Sequence, residues 1–224
     1  MTIKTQYIAP VSLWLVVRKR FTGTGLFIEP AWVGDGTQNG PVIFTSHILA
    51  AVYAHMRNKY HSNDDSDNWR VMSLQAFDLL EHVRDCGGKL WCMMAFAAVL
   101  EDASSLIVKT GAPRIRYVPL GFESPKDTEI VTFSFDQWVF DYMRDEFRSI
   151  GLPDYEMQLE VVDEMDDATL ALTLKYATER INVCREPSER KASLWGVYDP
   201  DAGVWVSAEE TDRKPAKHTA HQLH

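Results

Sequence analysis

The sequence predicts an α+β protein built as two small units, an N-terminal sheet with two helices and a C-terminal α-β-β-β-β antiparallel sheet. Three observations point there. Strand-like apolar runs are mixed with amphipathic helical stretches along the first half of the 224 residues. The polar, proline-containing stretch ESPKDTE divides the chain near residue 125. Beyond it, two pairs of segments alternate with period two about turn-rich links, the pattern of hairpins. The expected limits are 1–124 for the first unit, 125–208 for the second and 209–224 for a flexible tail without apolar periodicity.

The first expected strand, VSLWLVVRK, is apolar on both faces and so belongs inside a sheet. Gly23 and Gly25 punctuate the chain before LFIEPAWV, and the loop GDGTQNG leads on to PVIF. From Ser46 the period changes: Ile48, Leu49, Val52, Tyr53 and Met56 fall on one helical face. Thr45 or Ser46 is placed to cap that helix, its oxygen accepting a free N–H of the first turn. After the polar loop HSNDDSDN come the short strand WRVMSL and a helix from Gln75 to Asp85, which buries Phe77, Leu80 and Val83 and stops at Gly87–Gly88. KLWCMMAFAAV reads as a strand with no polar face, its alanines leaving a helix open. LIVKTGAPRIRYVPLGF reads as strand, turn and strand.

In the second unit, Ser134 and Gln137 have capping-box spacing ahead of a stripe of Trp138, Val139, Tyr142 and Phe147, and Gly151 ends that helix. YEMQLEV alternates Tyr155, Met157, Leu159 and Val161; TLALTLKY alternates Leu170, Leu172, Leu174 and Tyr176. DEMDD joins the two as a hairpin, with a helix over Ala168 to Arg180 as the alternative. ASLWGVY, DPDAG and VWVSA form a second hairpin, with Asp199-Pro200 and Gly203 supplying the turn chemistry.

Charge bounds the function. The net charge is −9, yet residues 1–124 hold 12 Lys/Arg against 11 Asp/Glu while residues 125–224 hold 11 against 21. The second half therefore repels nucleic acid and anionic membranes and attracts a basic partner protein. No apolar run reaches the roughly 18 residues of a membrane span. The N-terminal apolar run precedes its basic cluster, the wrong order for a secretory signal. Cys86, Cys92 and Cys184 are too few and too scattered for a disulfide framework or a zinc site. The expectation is a cytoplasmic protein without cofactor or metal.

No motif names a reaction. FTS at Phe44–Ser46 lacks the glycines and lysine of a phosphate loop and the G-x-S-x-G of a hydrolase, so it reads as a helix cap. His47 and His55 lie two helical turns apart, too far to share a metal. NDDSDN lacks the glycine and final glutamate of a calcium loop, and GTG at 23–25 lacks the third glycine of a nucleotide turn. His218, His221 and His224 would hold nickel or zinc only loosely. A Cys–His couple is conceivable, for example Cys86 with His82, four residues apart on a helix, without an identifiable third group.

The most unusual feature is acidic. From Leu152 to Leu174 there are seven carboxylates and no Lys or Arg. Glu156, Glu160, Asp163, Glu164, Asp166 and Asp167 are the expected contacts to a basic protein, with Trp195 and Trp205 beside the second turn as aromatic anchors. The competing explanation is a solvated outer face.

Residues 40–99, with PVIFTS opening a helix and WRVMSLQAFDLLEHVRDCGGKLWCMM following as strand, helix and strand, resemble the N-terminal domain of the SseB-like family. The α-β-β-β-β order of the second half is similar to the folds of small secretion chaperones and their YbjN-like relatives. The resemblance implies a bacterial protein linked to type III secretion and no catalytic site. The expected function is non-catalytic protein binding, as an immunity protein neutralising a basic toxin such as a nuclease, or as a secretion accessory holding an effector. A small hydrolase or a ligand-binding regulatory protein is the alternative.

Overall fold

The computed structural model describes residues 4–23, 25–34, 37–60, 68–124, 130–187, 194–209 and 221–222. Its strands and helices follow in the order β1 Lys4–Ile8, β2 Trp14–Thr22, β3 Gly25–Pro30, β4 Trp32–Gly34, β5 Asn39–Phe44, α1 His47–Tyr60, β6 Arg70–Ser73, α2 Leu79–Asp85, β7 Lys89–Asp102, β8 Ser105–Lys109, β9 Ala112–Pro113, β10 Ile115–Glu123, β11 Ile130–Ser134, α3 Gln137–Ser149, α4 Tyr155–Asp163, α5 Asp167–Glu179, β12 Asn182–Cys184, β13 Leu194–Asp199, β14 Val204–Glu209 and β15 His221–Gln222. The α+β class holds.

The 14-residue β7 is the spine, and it is a strand despite its alanines. One edge pairs along Lys89–Ala98 with antiparallel β10. The opposite edge carries parallel β5 at Met93–Ala95 and then antiparallel β13 at Ala98–Leu100. Its side chains alternate between two cores. Leu90, Cys92, Met94 and Phe96 pack with α2 and α3, whereas Ala95, Ala98 and Leu100 pack under α1 and α5. A strand covered on both faces needs no polar side, which is why its sequence has none.

These pairings correct the expected division. β13, from beyond residue 125, pairs with β7, and β11 pairs with β1 in parallel register from Lys4↔Ile130 to Ile8↔Ser134. The two halves thus contribute to the same sheet and to both of its cores, and ESPKDTE itself falls largely outside the described residues.

The expected hairpin over residues 155–176 is also corrected. The chain there forms helices α4 and α5, so the α-β-β-β-β order gives way to three helices followed by β12, β13 and β14. Tyr155, Leu159 and Val162 are buried at i, i+4 and i+7, and Asp166 accepts hydrogen bonds from the N–H groups of Ala168 and Thr169 at 2.9 Å as the N-cap of α5. Glu, Gln, Met, Leu and Ala, the best helix formers, fill both segments. The capping box at Ser134 is displaced as well. Ser134 closes β11, and Asp136 takes the N-cap position of α3 while accepting from the indole N–H of Trp138 at 2.8 Å. The expected helix from Gln75 begins at Leu79, capped by Asp78, and ends as expected at Gly87 and Gly88, whose φ values of 81° and 85° suit glycine.

Of the tail, Glu209 ends β14 and His221–Gln222 pair with Phe122–Glu123; residues 210–220 and the acidic loop 61–67 lie outside the description.

Gly40 shows how closely β5 meets β7: a Cβ there would sit 1.7 Å from the carbonyl oxygen of Trp91. Gly40→Ala is therefore expected to destabilise the protein by about 3 kcal/mol or more through forced separation of these strands, measured as a lower urea midpoint at unchanged m-value.

Candidate functional site

The acidic segment becomes two helices joined by a short turn. Both α4 and α5 contact α1. On α4, Met157, Glu160, Val161 and Glu164 recur at i, i+3, i+4 and i+7 and form the exposed stripe opposite Tyr155, Leu159 and Val162. On α5, Leu170, Leu174 and Ala177 pack toward the α1 core, and Leu172 and Tyr176 stand in solvent one turn apart. Met157 and Val161 are 59% and 55% exposed, unusually high for apolar residues adjacent on a helix.

The predicted carboxylates do different jobs. Glu160, Glu164 and Asp167 are exposed. Glu156 is half-buried and accepts from the guanidinium of Arg144 at 2.8 Å, tying α4 to α3. Asp166 is spent on capping α5. Asp163 is turned inward. Trp195 corrects its assignment as an anchor: it is 2% exposed, edge-on to Phe96, and covered by the guanidinium of Arg116 at 5.1 Å, which also pairs with buried Glu146. Trp205 is half-buried and donates its indole N–H to the Ala177 carbonyl at 2.9 Å, securing the end of α5.

Asp163 belongs to a polar cluster that sequence spacing did not reveal. At the end of α4 it meets the hydroxyl of Ser12 and the indole edge of Trp14, and the Nδ1 of His47 lies 4.0 Å from its Oδ1. His47 stacks on Trp14 with ring centroids 4.0 Å apart. Among the described residues, neither Trp14 Nε1 nor His47 Nδ1 completes a hydrogen bond of normal geometry. Burial lifts the Asp163 carboxyl to about 6 against the lowering effect of Ser12 and Trp14, and burial also lowers His47, favouring the neutral ring. Beside it, Ser46 caps α1 by accepting from the Leu49 N–H at 3.2 Å, and Thr45 donates to the Ala95 carbonyl at 3.3 Å. FTS is thus a helix cap and a strand tie. Tyr155 reaches across from α4, contacting Ser46 and donating to the Tyr198 carbonyl at 3.0 Å.

The couple of Cys86 and His82 is not assembled for nucleophilic chemistry. His82 faces Phe77 and Trp32, with ring centroids 5.7 Å away in each case, and its buried Nε2 has no hydrogen-bond partner among the described residues. What burial Cys86 has, and then the Asp85 carboxylate, push its thiol up, the reverse of activation. Among the described residues, no three His, Cys, Asp or Glu side chains are grouped to hold a metal ion, and no helix is long and apolar enough to cross a membrane.

The raised Asp163 carboxyl has a signed consequence. Its folded value of about 6 lies above the ordinary 3.8, so the stabilisation linked to its proton is complete below pH 4 and is lost as pH rises through 6. Asp163→Asn is expected to melt higher than wild type at pH 7.5, by roughly 1 kcal/mol after allowing for solvent reaching the site, and at the same temperature at pH 4. Melting curves of both proteins across that range check this; a difference independent of pH overturns it.

Comparison of the chain with family models, with curated proteins and with solved structures finds no match.

Proposed function

We propose that the protein is a non-catalytic binding protein whose α4–α5 face docks a basic partner protein. The observation that carries this is the stripe Met157–Glu160–Val161–Glu164, an exposed apolar pair interleaved with carboxylates, with Leu172 and Tyr176 exposed on α5 as well. Apolar area supplies affinity at the centre of such a face, and the carboxylates accelerate encounter and reject acidic competitors. An immunity protein closing the cationic cleft of a toxin, for instance a nuclease, needs this combination. So does a secretion accessory holding an effector, the version favoured by the SseB-like resemblance. A bacterial cytoplasm suits its three free cysteines. The unactivated thiol of Cys86 weighs against the hydrolase alternative.

The test begins with capture from a lysate of the native host, where a basic protein released by salt is the expected partner. Its association with Glu160→Lys/Glu164→Lys/Asp167→Lys should then be slowed about tenfold or more at low salt, and Met157→Ser/Leu172→Ser should mainly hasten dissociation. Biolayer interferometry reads both rates. Asp163 and Asp166 are left intact because Asp163 is turned inward and Asp166 caps α5. Association unaffected by the triple reversal removes the acidic face from the interface.

A further inference from the structure

The hairpin of β2 and β3 outruns the sheet that bears it. β2 pairs with β5 only at Trp14–Leu15 and with β6 only at Trp14–Val17; from Arg18 to Thr22 its sole described partner is β3. At the tip Phe21 stands opposite Leu26, and the two are 82% and 52% exposed. No other apolar side chain of this size among the described residues is as open as Phe21.

Beside this tip runs a groove of 260 Å³ between β3 and α2. Leu26, Ile28, Phe77 and His82 give it apolar and aromatic walls, and Asp78, Glu81 and Asp85 supply its charged side chains among the described residues. Such a groove suits an aromatic ring accompanied by a cation. The tip offers that pair: Lys19 lies two residues from Phe21, on the same side of the strand. Arg20, on the other side, is drawn to Glu29 at 3.4 Å.

We propose that the hairpin is a self-association surface in which Phe21 of one molecule enters the β3–α2 groove of a second copy, with Lys19 against the groove's carboxylates. Size, apolarity and charge all match between tip and groove. Topology supplies the geometry. Tip and groove share one hairpin, so a twofold axis beside it engages both tip–groove pairs at once and gives a closed dimer, not a filament. The acidic groove and the net charge of −9 disfavour an anionic membrane as the occupant. This surface is distinct from the α4–α5 face, so each can fail without the other.

Sedimentation velocity from about 5 to about 200 μM tests the proposal. Wild type should shift from monomer to dimer across that range. Phe21→Ser, lacking the tip, and Glu81→Lys/Asp85→Lys, lacking the groove's charge, should each weaken association about tenfold or more while keeping the wild-type melting behaviour. A monomeric wild type at the highest concentration, or a dimer indifferent to Phe21→Ser or to the groove's charge reversal, each overturns it. Binding of wild type to phosphatidylserine vesicles through Phe21 without dimerisation would likewise replace the second copy with a lipid surface.

Discussion

β7 is buried on both of its faces, and most of the architecture follows from that constraint. A strand whose Cys92, Met93, Met94, Ala95, Ala97 and Ala98 are all sealed from solvent must have a layer above and a layer below. Helices α2 and α3 cover one side, and α1 and α5 the other. α4 joins the layers, with Tyr155 and Leu159 in one core and Val162 in the other. The edges of β7 are equally committed: β10 and then β8 occupy one, while β5 and β13 share its opposite. The close approach at Gly40 is the local price of that crowding.

This scaffold explains how an acid-rich segment becomes ordered. Carboxylates repel one another, and α4 and α5 would gain little from forming alone. Two of theirs are compensated by structure, Glu156 by Arg144 and Asp166 by the first turn of α5, and Asp163 is withdrawn from the surface toward Ser12 and Trp14. Glu160, Glu164 and Asp167 remain on the surface. An acidic face is thus held in place by acids that are not on it. The same α4 that carries the exposed stripe is anchored through Tyr155 and Glu156, so the electrostatics of the surface and the packing beneath it are linked.

The strands were largely legible because their residues repeat the information. VSLWLVVRK, PVIF and KLWCMMAFAAV are apolar on both faces, and the Asp199–Gly203 turn carries its own chemistry. The helical pair was not, because its residues satisfy two periods at once. Tyr155 and Leu159 belong to an alternating stripe and also to an i, i+4 stripe; what separates the cases is Val162, which is buried, and Val161, which is not. Leu170 and Leu174 are equally ambiguous beside exposed Leu172. Helix propensity and the Asp166 cap point to the structure adopted, signals that the alternation masked.

The sequence by itself determined the α+β class, a capping hydroxyl at Thr45 or Ser46, the glycine stop after α2 and the acidity of residues 152–174, since each rests on local periodicity, hydroxyl chemistry, backbone freedom or charge. Only the tertiary structure decided that the two halves share one sheet, that Trp195 is core, and that Ser12, Trp14, His47 and Asp163 meet. Those outcomes depend on contacts between residues tens to hundreds of positions apart, whose formation is set by how the apolar faces of whole strands and helices pack together, and no local pattern encodes which distant partner each will find.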